Sequence, residues 1–300
     1  MRFNLTTLHL FLSAVDEGSI AAAAEVNDIA PSAISRRISE LEHQLNTVLI
    51  YRKTKGVEPT AAGEALARHA RNLVRLMARM EAEMSEYANG MRGHVRIVAN
   101  TSAIAQFLPE DLSTFKIDFP DVRIELREET SERAVNDVRV GLADIAIFSG
   151  ATNSHDLETF AYHQDHLVVV MPKNHPLAAK KTLKFSQTLA YQHIGLQPGS
   201  SLLGQLVGEA AELEKTLSFV VQVTSFDGVR RMVESGLGIA ILPDGVIQDQ
   251  SKSGRLSVVP LSDSWSMRTL FVGVLEANAL PLVVRKFLVR LVGAKYPLKF

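Results

Sequence analysis

The chain has 300 residues, is 46% hydrophobic and 22% charged, and carries a formal net charge of −1 with no cysteine. Its length exceeds one typical domain, so two or three compact units are expected. The missing cysteine excludes disulfide scaffolds, thiolate metal sites and cysteine nucleophiles, and it suits a reducing compartment.

The first segment, "MRFNLTTLHLFLSAVDEGS", places Arg2 ahead of apolar residues in the manner of a signal peptide. Leu5, Leu8, Phe11, Leu12 and Val15 nevertheless recur at helical spacing with polar residues between them. That is one amphipathic face, not a continuously apolar core. No apolar run approaches the ~20 residues needed to span a bilayer, so the expected location is the cytoplasm, with no membrane partner.

Gly18-Ser19 then breaks the chain, and Ser19 is a suitable N-cap for "IAAAAEV". Pro31 suits the first position of a third helix, whose apolar set is Ile34, Ile38, Leu41 and Leu45. Asn46 follows as a candidate left-handed stop. Two helices joined by a tight turn, the second polar and basic outward, make a helix-turn-helix pattern. "YRKTKGVEPT" offers two short arms around Lys55-Gly56, a candidate β-wing.

From Thr60 to about Asn89 there is no proline. Leu66, Ala70, Leu73, Met77, Met80, Met84 and Tyr87 step by four and three alternately, which is a heptad seam for a partner helix. Arg68, Arg71, Arg75, Arg79, Glu81 and Glu83 flank it, as a solvated two-helix rod requires. Asn89-Gly90 and Gly93 end the helix.

Past Gly93, strands alternate with helices. "HVRIVAN", "VRIELRE" and "ADIAIF" read as strands; "SAIAQFLPEDLSTFKIDF" and "SERAVNDVRVGL" read as one helix each. That is a βαβαβ unit with parallel strands. A second unit begins near His166 with "HLVVVM" and continues through "HIGL", a helix near 201–215, "FVVQV", "FDGVRRMVES" and "GIAIL". "TLFVGVL" and the helix "LPLVVRKFLVRLV" close the chain. Two α/β halves of similar size suggest two lobes around a cleft.

Enzyme signatures are weak. Gly236 and Gly238 in "SGLGIAILP" echo a dinucleotide loop, but they follow a helix and lead into a strand, so a helix C-cap is the better reading. Neither a phosphate-binding G-x-x-x-x-G-K-[ST] loop nor a G-x-S-x-G elbow occurs. His163 and His166 flank Asp165 without further ligands in view, so no metal, no cofactor and no catalytic residue is assigned.

Placement of charge says more than its amount. Through Pro59 there are six basic residues against seven acidic ones. Arg36 and Arg37 fall in the first turns of the third helix beside Ser32 and Ser35, while Arg52, Lys53 and Lys55 fall on the wing. A helix entering the major groove needs short hydrogen-bonding side chains and arginine at that end, and a basic wing can follow phosphates. Farther on, Thr101-Ser102, Gly199-Ser200-Ser201 and Thr224-Ser225 lie at strand-to-helix junctions. Their hydroxyls and backbone N–H groups suit a small anionic ligand in a shared cleft.

These stretches together resemble the LysR-type transcriptional regulators. The likeness is densest in "LFLSAVDEGSIAAAAE", "SAISRRISELE", "LIYRKTKGVEPTAAGEAL", "FLPEDLSTF", "FPDVRIEL", "GLADIAI" and "SGLGIAILP". It implies an α + α/β chain in three parts. A winged helix-turn-helix covers 1–59, a linker and dimerisation helix 60–89, and an effector domain resembling type 2 periplasmic binding proteins 93–300. Lobe I would comprise 93–162 and 267–300, and lobe II 163–266, joined by crossovers near 161–165 and 265–269. The implied DNA contacts are Ser32, Ser35, Arg36, Arg37, Arg52, Lys53 and Lys55. The implied effector contacts are Thr101, Ser102, Gln197, Ser200, Ser201 and Thr224, with Phe148 and Ser149 more weakly placed. Dimerisation would use Leu66, Leu73, Met77, Met80 and Met84.

The implied partners are double-stranded promoter DNA, a small-molecule effector and further copies of the chain as homodimer or homotetramer; RNA polymerase is left open. The implied protein is no enzyme. A ligand-independent architectural DNA binder, or a small-molecule receptor or enzyme, are the alternatives. One departure from the family stands out: Ala30-Pro31-Ser32 replaces a common Ser-Gln-Pro, so proline occupies a place where relatives carry a glutamine.

Overall fold

The structure, a computed structural model, describes residues 3–53, 56–89, 93–247 and 254–293. Lys55 and Gly90 lie outside the described residues, as do the side chains of Arg75, Arg79, Glu81, Glu83 and Tyr87. The chain divides into two compact units, one of Met1–Ala88 with the short stretch Val140–Leu142 and one of Asn89–Arg139 with Ala143–Phe300.

The first unit contains α1 (Leu5–Asp16), α2 (Ile20–Val26), α3 (Pro31–Leu45), β1 (Ile50–Lys53), β2 (Gly56–Pro59) and α4 (Ala61–Asn89). Asn4 and Ser19 cap α1 and α2, accepting from the amides of Thr7 and Ala22. Ala23 and Ala24 are buried and small enough to bring α2 against α3, over a core that includes Phe11, Ile34 and Ile38. Asn46 has φ 51° and ends α3 in the left-handed conformation expected of it. Glu42 then ties α3 to the wing, its Oε1 accepting from the amides of Leu49 (2.7 Å) and Ile50 (3.2 Å).

The wing is an antiparallel pair with Lys53 opposite Gly56. Gly56 has φ +126°, and a Cβ there would stand 2.2 Å from the carbonyl oxygen of Gly18, so no other residue fits this turn. Thr60 starts α4, accepting from the amide of Gly63 (3.0 Å) and donating to the carbonyl of Val48 (2.8 Å). The expected seam on α4 divides in two. Leu66, Ala67 and Ala70 pack on the unit's own core, Leu66 only partly buried there. Leu73, Met77, Met80 and Met84 are exposed beyond it.

The second unit opens with β3 (His94–Ala99), α5 (Thr101–Gln106), α6 (Leu108–Asp118), β4 (Arg123–Glu128), α7 (Ser131–Val140) and β5 (Ile145–Ser149). β3 is parallel to both β4 and β5. The single helix expected after β3 is two helices, α5 and α6. Pro109 sits in the first turn of α6 and lacks the N–H that would continue α5, so the chain breaks at Phe107.

Next come β6 (Glu158–Pro172), α8 (Phe185–Thr188), β7 (His193–Leu196), α9 (Ser201–Glu212), β8 (Phe219–Val223), α10 (Phe226–Glu234), β9 (Ala240–Pro243), β10 (Leu256–Pro260), β11 (Met267–Val274) and α11 (Leu282–Val292). β6 starts eight residues before His166, because its first half is partly exposed and shows no apolar run. α8 and β10 are also additions, too short for periodicity to mark them.

β6 serves both lobes. From Glu158 to His166 it pairs with β11, in a sheet ordered β6-β11-β5-β3-β4. From Leu167 to Pro172 it pairs instead with β9 and β10. Ile239 bridges to His193 beside β9, and β7 runs parallel to β8. Each lobe has its own apolar core, one around Ile97, Phe115 and Phe287, the other around Val169, Phe185 and Val229.

Candidate functional site

On the first unit, Ser32, Arg36 and Arg37 are exposed at the N-terminal end of α3. Pro31 occupies the first helical position, and no side chain caps this end. Amides of the first turn are therefore unclaimed by a capping side chain, and the positive end of the helix dipole accompanies them. The Arg36 guanidinium donates through Nε to Glu40 (2.8 Å), an exposed pair one turn on. Arg37 donates to the hydroxyl of Thr7 on α1 (3.3 Å).

The wing is fastened to this helix. Arg52 donates to the hydroxyls of Ser35 (2.6 Å) and Ser39 (2.9 Å), and Lys53 pairs with Glu58 across the wing. Six of the seven expected DNA-contacting residues thus lie on α3 or on the adjoining strand β1; Lys55 is outside the described residues. Ser39, which receives Arg52, was not singled out in the sequence. Its position four residues after Ser35, on the same helical face, is the signal that marks it.

On the second unit, a cleft of about 990 Å³ lies between the lobes. Thr101, Ser102, Gln197, Ser200, Ser201 and Thr224 all line it. Lobe I contributes α5 and the start of α7; lobe II contributes the starts of α9 and α10. The lobes meet at the mouth, where a Cβ on Gly199 would stand 3.4 Å from Cγ2 of Thr130. Asn100, not Thr101 or Ser102, caps α5 by accepting from the Ala103 amide (2.9 Å), while Ser225 caps α10 (3.1 Å).

Phe148 and Ser149 are not among the residues that line the cleft. β5 lies between β11 and β3, with Phe148 opposite Phe271 and Ser149 opposite Leu270. Both residues are buried. Four carboxylates that the sequence did not single out line the cleft instead: Glu128, Glu129, Glu132 and Asp227. The run "REETSE" at the C-terminal end of β4 was the available signal, since strand C-termini border such clefts.

Behind the cleft, Asp165 on β6 and Arg268 on β11 form a buried ion pair, 3% and 5% exposed. Arg268 Nε donates to Asp165 (2.8 Å), and Nη2 also lies 3.4 Å from the hydroxyl of Ser102. Gln106 donates to Asp165 as well (3.1 Å). The neighbouring histidines diverge from this pair. His166 Nε2 faces the carbonyl of Leu261 (2.9 Å), and His163 stacks on Phe107 with ring centroids 4.3 Å apart. Among the described residues, no group of three or more His, Asp or Glu side chains is placed to hold a metal ion, and no helix is long and apolar enough to cross a membrane. Gly236 has φ +80° just after α10, as a helix C-cap does.

The whole arrangement has known relatives. Residues 5–64 match the family model described as bacterial regulatory helix-turn-helix protein, lysR family, and residues 88–294 match the LysR substrate binding domain. The HTH-type transcriptional regulator CysL of Bacillus subtilis (strain 168) is 23% identical over 287 residues, covering 90% of this chain and 96% of that protein. Full-length OxyR of Pseudomonas aeruginosa superposes with a TM-score of 0.72 at 20% identity, covering 96% of this chain and 97% of its own. Full-length CbnR complexed with its target DNA superposes at 0.65 and 18% identity, covering 96% and 99%. With models matched across both units, the chain belongs to the LysR family of bacterial regulatory helix-turn-helix proteins.

Proposed function

We propose that the protein is a transcriptional regulator that binds double-stranded DNA as a homo-oligomer and responds to a small molecule held between its two α/β lobes. The observation that carries the DNA half is the N-terminal end of α3, where Ser32, Arg36 and Arg37 are exposed beside a wing that bears Arg52. In this reading the end of α3 enters the major groove, its arginines meet guanine edges or phosphates, and the wing follows the backbone. CbnR, solved on its target DNA, has the same fold.

The exposed apolar row Leu73, Met77, Met80 and Met84 joins two copies, so that each dimer reads a two-fold-related site. The winged unit spans 1–59, the linker helix 60–89, and the effector domain 93–300, with lobe II as an insertion at 163–266. The protein acts in the cytoplasm and catalyses no reaction. A ligand in the cleft shifts activity only through unequal affinity for two lobe arrangements.

The test is protection of the intergenic DNA beside the protein's own gene. Wild-type protein should leave a footprint there. Arg36→Ala with Arg37→Ala should remove it at unchanged secondary structure, a loss of about 1–3 kcal/mol for each base contact. An unchanged footprint would overturn the assignment of α3.

A further inference from the structure

The interlobe cleft contains two kinds of polar group with opposite demands. On its floor, Ser102 and Ser131 are 5% and 2% exposed. The Ser131 hydroxyl accepts from Asn100 (3.1 Å) and from the Ser149 amide (3.2 Å), and the Ser102 hydroxyl accepts from Arg268. Neither hydroxyl hydrogen finds an acceptor among the described residues. Two buried donors with unclaimed hydrogens, both lining the cavity, call for an acceptor from a ligand. Of the three longer helices that begin at the cleft, α7 and α10 carry their own carboxylates in the first turn, Glu132 and Asp227. α9 has none there, and no side chain caps it. The anion-accepting ground is therefore the cleft floor and the start of α9.

The lobe I wall repels an anion. The charged side chains on the lining are four carboxylates, Glu128, Glu129, Glu132 and Asp227, and the guanidinium of Arg133, which lies 3.5 Å from Glu129; Asp227 is also paired with Arg230 and Arg231 on its own helix. Asp227 is held below the usual carboxylate range by hydrogen bonds from Arg230 and then Arg231, so it stays ionised. Glu132 has no partner among the described residues. Glu128, Glu129 and Glu132 all stand on the lobe I wall, where Arg133 lies beside Glu129 alone, so that wall favours a cationic group on the ligand.

Resting on the reading of this cleft as the effector site, we infer that the effector is a zwitterion of the amino-acid class. Its carboxylate is received by the Ser102 and Ser131 hydroxyls and the start of α9, and its ammonium by the lobe I glutamates. This narrows the wholly anionic ligand that the junction hydroxyls alone suggested.

The experiment is a thermal-shift panel on the full chain with the standard amino acids, each beside its 2-oxo acid and its decarboxylated amine. At least one amino acid should raise the melting temperature while its two single-charge counterparts do not. Glu129→Gln with Glu132→Gln, both at partly or fully exposed positions, should weaken that binding about tenfold. Ser102→Ala and the exposed-loop variant Gln197→Ala should also reduce it. If 2-oxo acids bind as well as amino acids and respond to Ser102→Ala, the zwitterion is wrong and the effector cleft stands. An amino-acid shift that all four substitutions leave intact places the ligand elsewhere and overturns both. A panel without any shift overturns the zwitterion.

Discussion

The two units assemble their candidate sites in different ways. In the first, every residue proposed to meet DNA falls between Ser32 and Lys55, on one helix and the wing that follows it. Its contacts are exposed and reach no farther than 30 positions, as with Arg36 and Glu40 or Arg37 and Thr7. In the second, the cleft draws on residues from Asn100 to Asp227, and the pair behind it joins Asp165 to Arg268 across 103 positions. A locally built site survives most substitutions outside itself. One assembled from distant strands depends on buried polar groups that must all stay satisfied.

Four measurements sharpen or break this contrast. The largest effect is expected on the linker helix. Leu73→Glu with Met80→Glu should give monomers in sedimentation, since each apolar side chain withdrawn from contact is worth about 1.5–3 kcal/mol and a dimer loses four. Persistent dimers would remove α4 from the interface. Next, Asp165→Asn leaves Arg268 buried without its counter-charge and should cost about 3–5 kcal/mol of stability in the second unit. The winged unit should bind DNA unchanged at temperatures where both remain folded. A loss under 1 kcal/mol would show that the pair is wet.

The third effect is pH dependence. Burial lowers the pKa of His193 to about 4, against which the hydrogen bond to the Tyr191 carbonyl only partly compensates. The folded-state value lies below the ordinary 6.5, so the neutral ring's contribution is fully present above pH 6.5. It is lost as pH falls toward 4, a span of about 3 kcal/mol. His193→Leu should flatten that part of the stability profile; an unaltered profile would mean the ring is hydrated. The smallest effect belongs to Arg52→Ala. It should weaken DNA binding evenly across sequences and lower the salt slope by about 1. A change confined to particular bases would instead make Arg52 a reader of sequence.

Much of this molecule is legible in the sequence where one element decides its own form. The spacing from Ile34 to Leu45 marks α3, Asn46 supplies its stop, and Lys55-Gly56 marks the wing. Six cleft residues follow from the rule that ligands gather at strand C-termini, and Phe148 and Ser149 fail under the same rule. Phe148 turns into a buried cluster with Val135 and Val138 of α7 and Phe271 of β11, and nothing in "ADIAIFS" announces a neighbour more than a hundred positions away. The break between α5 and α6 was readable at Pro109. The ion pair of Asp165 and Arg268 was not, because an aspartate between two histidines gives no hint of which distant strand will face it.

β6 gives the second unit a mechanical character. It is one uninterrupted strand of 15 residues, and its partners change between His166 and Leu167, from β11 on one side to β9 and β10 on the other. Hydrogen-bonded ladders on both stretches resist sliding and stretching, which leaves flexure at the changeover as the soft direction. His166 also grips Leu261 and Ser266 on the return segment, so both connections bend at the same level. Flexure at that level would change the angle between the lobes. A molecule held between the lobes would act on that angle.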